Sequence, residues 1–118
     1  MAKNEENVVN LSKGDQKEDL SVWTWKLSQP TTYNGEEITE LKFNFNKLTG
    51  MDAIEVENEL MRTGKLAIYG QASNINYILR MAARACEKPI GIDLFDIVGI
   101  TDFHVLRTHT QLFLTDLP

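Results

Sequence analysis

Two runs of alternating apolar and polar residues, separated by an Asn-Gly pair, constrain the fold of this chain more than any other feature. The apolar positions of the two runs are Trp23, Trp25, Leu27, Leu41, Phe43 and Phe45. Asn34-Gly35 lies between them and accepts the positive φ that both central positions of a tight hairpin turn require. We therefore predict an antiparallel β-hairpin with one aromatic face.

The register of this hairpin contains a conflict between the turn and the apolar faces. A two-residue Asn-Gly turn would set Trp25 opposite Asn44. The apolar faces agree only if Trp25 pairs with Phe43, so one extra residue must be absorbed. We predict a bulge near Pro30, which cannot donate to the ladder, or near the out-of-phase Ile38. Trp25 and Phe43 should then share a face.

Helical signals follow the hairpin. Thr49 and Asp52 resemble a capping box, and Gly64 is a natural C-cap. The predicted stripe between them is Ala53, Val56 and Leu60, flanked by Ile54 and Met61. Residues 65–72 are predicted to form a connecting loop in which Leu66, Ile68 and Tyr69 pack down.

The strongest helical pattern comes next. Its apolar positions are Ile75, Ile78, Leu79, Ala82, Ala83 and Cys86, which fill the i, i+3, i+4, i+7 template without a gap. Asn74 or Ser73 can cap this helix and Pro89 stops it, and the pattern predicts that Leu79 is buried.

Two further helices are predicted in the last third of the chain. Residues 93–98 form a short helix ended by Gly99, and Thr101 caps a final helix. One side of that final helix carries Phe103, Leu106, Thr110, Phe113, Leu114 and Leu117.

These elements predict an α+β protein with an N-terminal β-hairpin packed on a bundle of three to four α-helices. The length of 118 residues suits one domain, over residues 20–118. Residues 1–19 contain eight charged residues and are expected to form a mobile tail, with a short helix around Val8–Leu11 as the alternative.

Composition narrows the function classes. The net charge of −5 argues against binding duplex DNA or RNA, because the protein lacks the electrostatic attraction that non-specific binding needs. No stretch reaches the roughly 18 apolar residues of a membrane span, and the N-terminus lacks a signal-peptide pattern. The single cysteine, Cys86, cannot form an intramolecular disulfide, which is compatible with the cytoplasm.

The residues that could carry chemistry form no catalytic constellation. His104 and His109 are five residues apart, so on a helix they project about 140° from each other and cannot easily share a metal. Cys86 lies on an apolar stripe. Asp93 and Asp96 are expected to cap and solvate a short helix. A phosphate loop is missing around Gly64 and Gly70. We expect no catalytic, metal or cofactor site.

Two sets of residues could instead contact a macromolecule. The acidic residues Asp52, Glu55, Glu57 and Glu59 form either a solvated face or a surface for a basic partner. The aromatic residues Trp23, Trp25, Phe43 and Phe45 could stack on bases, although packing against a helix is the expected role.

The order of several short motifs resembles a known family. In chain order these are residues 29–35 (QPTTYNG), 38–43 (ITELKF), 47–52 (KLTGMD), an alanine-rich helix, residues 93–98, residues 101–103 (TDF) and residues 111–114 (QLFL). Together, over about residues 22–115, the chain resembles the small tail assembly chaperones of bacteriophages and prophages.

This resemblance implies a non-catalytic protein of the host cytoplasm. Such a chaperone binds the long helical tape-measure protein before the tail tube polymerises around it, and other tail proteins are further candidate partners. A structural tail or baseplate component of the virion is the alternative, and homo-oligomerisation is left open. The family has no known catalytic residues or cofactor to carry over.

The end of the final helix is the predicted partner-binding site. It is formed by Leu112, Phe113 and Leu117, which present more apolar surface than one buried stripe needs. Leu112 lies off the stripe that holds Phe113 and Leu117, so helix geometry directs part of the cluster outward. A neighbouring helix, a second copy of the chain or the tape-measure protein could cover it.

Overall fold

The structure, a computed structural model, describes residues 21–67 and 70–115. Within them, an antiparallel hairpin of β1 (Val22–Tyr33) and β2 (Glu36–Asn44) precedes the helices. The helices are α1 (Gly50–Thr63), α2 (Ile75–Ala85), α3 (Leu94–Ile97) and α4 (Ile100–Thr115). Short 3-10 turns at Phe45–Lys47 and Gln71–Ser73 precede α1 and α2.

This element order confirms the predicted α+β class and the hairpin followed by helices. The predictions of a charged mobile tail over residues 1–19, of packing by Ile68 and Tyr69, and of a partner-binding Leu117 lie outside the described residues.

The hairpin has the predicted turn and an irregular register. Asn34 and Gly35 have φ values of 52° and 79°, as the tight turn requires. Pairing runs regularly from Tyr33↔Glu36 to Thr31↔Ile38 and resumes at Lys26↔Glu40. Four residues of β1, 27–30, therefore lie opposite Thr39 alone. The predicted bulge near Pro30 is confirmed.

The size of the register shift was predicted wrongly. Trp25 pairs with Leu41 rather than Phe43, and Trp23 takes the position opposite Phe43. The shift is three residues instead of one, and any odd shift restores agreement between the two apolar faces. Trp25 and Phe43 therefore share a face as predicted, with ring centroids 6.1 Å apart.

The side chain of Asp102, near the other end of the chain, accepts hydrogen bonds from the bulge of β1. The backbone N–H of Ser28 donates to Asp102 Oδ1 at 2.9 Å and Oδ2 at 3.0 Å, and the Ser28 hydroxyl donates to Oδ2 at 3.2 Å. The indole N–H of Trp25 donates to the Asp102 carbonyl oxygen at 3.1 Å. Asp102 is buried. These bonds join β1 to the first turn of α4 and compensate the ladder bonds that the bulge lacks.

The main core lies between the aromatic face of the hairpin and the helices α2, α3 and α4. Its most buried members are Trp25, Phe43, Phe45, Ala82, Ala85, Leu94, Phe95 and Leu106. The small side chains of Ala82 and Ala85 let α2 lie close to the sheet, where Glu87 N–H donates to the Lys42 carbonyl oxygen at 2.8 Å. A second cluster joins α1 to α2 through Val56, Leu60, Tyr77 and Met81.

The capping predictions hold for the first two helices. The Thr49 hydroxyl accepts from the Asp52 N–H, and the Asp52 carboxylate accepts from the Thr49 N–H, which completes the capping box of α1. Gly64 ends α1 in the left-handed conformation, with φ of 72°. The Asn74 side chain accepts from Asn76 N–H at the start of α2. Asp93 takes the N-cap position of α3, but its side chain makes no capping hydrogen bond, so the predicted capping role of Asp93 was wrong.

Three predictions about local packing were wrong. Thr101 does not cap α4, because the helix already begins at Ile100. Leu66 is exposed. Leu79 is only partly buried, whereas Ile78, Met81 and Ala85 are buried. The helical template of the sequence analysis assumed that α2 packs against one neighbour. Because α2 contacts both α1 and the sheet, its buried side is rotated from the predicted stripe.

Thr110 provides a test of the core. Its side chain is fully buried, and its hydroxyl has no hydrogen-bond partner among the residues described. Thr110→Val keeps the shape and removes an unsatisfied polar atom, so we expect it to raise the free energy of unfolding by about 1–3 kcal/mol. Chemical denaturation measures the change, with Thr108→Val on the exposed side of α4 as control. A destabilised Thr110→Val would mean that the hydroxyl is hydrogen-bonded.

Candidate partner-binding surface

The structure separates the predicted partner-binding residues. Leu112 is 51% exposed, as the helix geometry predicted. Phe113, the next residue, turns inward, and its ring stacks on Phe45 with centroids 5.0 Å apart. Leu112 is therefore exposed, whereas Phe113 is partly buried against the core.

Leu112 belongs instead to a face of α4 that is largely exposed and meets the core only at His109, which we call the α4 outer face. It consists of Thr101, His104, Val105, Thr108, His109 and Leu112, which line an open depression of about 530 Å³. Val105 is 47% exposed. Spacings of three and four residues place these side chains on one side of the helix. Sequence reasoning missed Val105 because its prediction centred on the apolar end of the helix.

The opposite side of α4 is held firmly in the domain. Leu106 and Thr110 are fully buried, and the Asp102 carboxylate holds the bulge of β1. A helix anchored in this way is already ordered before a partner binds. Binding to its outer face therefore costs little conformational entropy on the side of this protein.

The two histidines have different surroundings. The His109 ring stacks on Trp23, with centroids 4.0 Å apart and planes 9° from parallel. His104 is exposed and meets the ring of Phe103 edge-on at 6.1 Å. Over residues 21–67 and 70–115, no three residues of the types His, Cys, Asp and Glu are grouped so that they could hold a metal ion.

The acidic residues of α1 have partners within the chain. Glu59 pairs with Arg80 at 2.8 Å, and Arg84 pairs with Asp52 at 2.9 Å and with Glu55 at 2.8 Å. The Thr49 backbone N–H and then the Arg84 guanidinium hold the pKa of Asp52 below its usual value. The sequence predicted that Asp52, Glu55, Glu57 and Glu59 form either a solvated face or a surface for a basic partner. Three of them, Asp52, Glu55 and Glu59, form ion pairs that join α1 to α2.

The other candidate residues have structural surroundings. Cys86 is buried, and burial raises the pKa of its thiol, which opposes the thiolate form that a nucleophile needs. Asp93 accepts a hydrogen bond from the Tyr33 hydroxyl at 2.8 Å. Trp25, Phe43 and Phe45 are buried in the core and cannot stack on bases.

A second apolar face lies on α1 and was not predicted as a surface. Met51, Ile54 and Met61 are each more than half exposed, and we call them the α1 outer face. Ile54 and Met61 were expected to flank the buried stripe. They lie outside it because Val56 and Leu60 meet α2 and turn the far side of the helix to solvent.

The chain was also compared with known proteins. No family model, no curated protein and no solved structure matches it. None of the helices that the structure describes is long and apolar enough to cross a membrane.

Proposed function

We propose that this protein is a phage or prophage tail assembly chaperone that binds the tape-measure protein without catalysis, in the host cytoplasm. The observation that carries the proposal is the α4 outer face, where Val105 and Leu112 are exposed on a helix whose other side is anchored in the core. Exposed apolar side chains grouped on one face of a small domain are typical of a protein-binding surface.

The α4 outer face suits a helical partner. Val105 and Leu112 are separated by about two helical turns, or roughly 10 Å along the axis, which matches the spacing of apolar residues on an amphipathic helix. The smaller Thr101 and Thr108 lie on the same face and let a partner helix approach closely. The apolar stripe of a tape-measure protein would be covered by such contacts, which would prevent its aggregation.

The size of this surface favours reversible binding. Full burial of one leucine or valine side chain contributes about 1.5–3 kcal/mol, and these two side chains are already partly buried. A contact with so few apolar anchors can release its partner when the tail tube polymerises. This is what an assembly chaperone requires and a permanent virion component does not.

The alternative function is a structural tail or baseplate component. Two measurements on infected or induced cells separate the two functions. For a chaperone, we expect the tagged protein to capture the co-expressed tape-measure protein before assembly and to be absent from purified particles by mass spectrometry. Recovery of the protein from finished particles in a fixed ratio to the tail subunits would instead establish a structural component.

A further inference from the structure

The exposed apolar residues of α1 follow a heptad pattern. Met51, Ile54 and Met61 are 60%, 53% and 64% exposed. They occupy the first a, the first d and the second d position of two heptads, the repeat with which two helices pack side by side. The remaining a position is held by Asn58, which is also exposed. We call the four residues the α1 seam, which is about 15 Å long from Met51 to Met61.

The α1 seam lies on a helix that is already held in place. On the opposite side of α1, Val56 and Leu60 are fully buried in the cluster that joins this helix to α2. The capping box of Thr49 and Asp52 fixes the first turn. An isolated helix of 14 residues would be marginal in water, but α1 is ordered by its own domain. A second helix can therefore bind the seam without having to order α1.

The charges that flank the seam identify a second copy of the chain as its occupant. Glu57 lies at a g position, and Arg62 lies at the following e position. In two parallel helices, a g residue of one helix lies beside the next e residue of the other. Two parallel copies of α1 would therefore form two Glu57–Arg62 pairs. Within residues 21–67 and 70–115, neither side chain is committed to an ion pair of its own.

The position of Asn58 favours the same parallel alignment. It would place Asn58 beside Asn58 of the second copy, where the two amides can hydrogen-bond, and a single a-position Asn is known to specify register in coiled coils. An antiparallel alignment with full overlap would set Asn58 against the apolar Ile54 of the second copy. It would also bring the two Glu57 side chains close together, and like charges repel.

We propose that the α1 seam is the interface of a parallel homodimer, in which the two copies of α1 pack side by side about a two-fold axis. Such an interface is isologous, because each copy contributes the same residues. The seam is far smaller than a standard interface, which has about 20–30 residues a side, so the dimer forms and dissociates with concentration. The inference goes beyond the proposed function and does not depend on it.

An exchange of charges tests the dimer and its alignment together. Sedimentation velocity of the full chain, at concentrations up to about 0.5 mM, gives the dissociation constant of the dimer. Glu57→Arg and Arg62→Glu are each expected to raise this constant about tenfold, because two ion pairs become two like-charge pairs. An equimolar mixture of the two variants should form a heterodimer about as tightly as the wild type, since every pair is again of opposite charge. This recovery also shows that both variants are folded.

Disulfide formation gives an independent measure of the alignment. In a parallel dimer, position 61 lies beside position 61 of the second copy, so we expect Met61→Cys to form covalent dimers in air. Leu112→Cys on the α4 outer face is the matched control, and the native Cys86 is buried. The bond at position 61 should form about tenfold faster than the bond at position 112, because the interface raises the local thiol concentration.

Three results would overturn the proposal. The first is a protein that stays monomeric at every concentration. The second is a mixture of the charge variants that associates no more tightly than either variant alone. The third is faster formation of covalent dimers through position 112 than through position 61, which would assign the second copy to the α4 outer face. These assays contain no tape-measure protein, so the proposed function is judged by its own tests.

Discussion

Leu106→Ala is expected to lower the free energy of unfolding by about 2–5 kcal/mol, because it opens a cavity in the main core. Leu106 is fully buried among the residues that join the aromatic face of the hairpin to α3 and α4. The loss combines the transfer free energy of the deleted methyl groups with the cost of the unfilled space. Chemical denaturation at equilibrium measures it.

The same helix supplies a matched control. Leu112→Ala removes the same atoms from a side chain that is 51% exposed, so we expect it to change the free energy of unfolding by less than about 0.5 kcal/mol. Similar losses for the two variants would mean that the buried and outer faces of α4 are assigned wrongly.

Leu112→Asp is expected to abolish the ability to keep co-expressed tape-measure protein soluble while leaving the fold intact. The carboxylate would have to be desolvated against an apolar helix, which opposes binding strongly. In the free protein it would remain in water. Its position in the last turn of α4 places a negative charge near the negative end of the helix dipole, at a cost of about 0.3–1 kcal/mol. The measurements are the soluble fraction of the partner and the melting temperature of the variant.

Met61→Asp on the α1 outer face is the control for this prediction. Met61 is even more exposed than Leu112, and it receives the same charge. We expect this variant to solubilise the tape-measure protein as the wild type does. If Met61→Asp abolishes solubilisation and Leu112→Asp does not, the partner binds α1. If Leu112→Asp unfolds, residue 112 is part of the core.

The hairpin illustrates what local sequence determines. The positive φ of Asn34-Gly35 and the alternation of the strands together require an odd register shift, and that much was predicted. The observed shift of three residues rather than one is accompanied by a contact to Asp102, which accepts the Ser28 N–H from 74 positions along the chain. Such a contact leaves no mark in the pattern of either strand.

The helices show a similar division. Caps were predicted because Thr49, Asp52 and Gly64 act on backbone groups within a few residues of themselves. The ion pairs of the acidic residues of α1 were not predicted, because their partners Arg80 and Arg84 lie on the next helix. Burial on α2 was misjudged for the same reason, because its second neighbour could not be read from its own periodicity.

The candidate surface was predicted in part. The 100° rotation between successive helical residues was enough to place Leu112 outward. The same rule separates Phe113 from Leu112, but the partner of Phe113 is Phe45, which lies just beyond the hairpin and was known only as part of an aromatic face. Val105 was not predicted as a surface residue. It is exposed because the adjacent Leu106 points into the core.

Site-specific photocrosslinking shows whether the α4 outer face binds the tape-measure protein, as we propose. A photoreactive amino acid would replace Leu112 in one variant and Met61 in another, each co-expressed with the tape-measure protein and irradiated before purification. We predict a covalent adduct with the tape-measure protein from position 112 and little or none from position 61. An adduct from position 61 alone would contradict it, as would the absence of any adduct from either position in a complex that still forms.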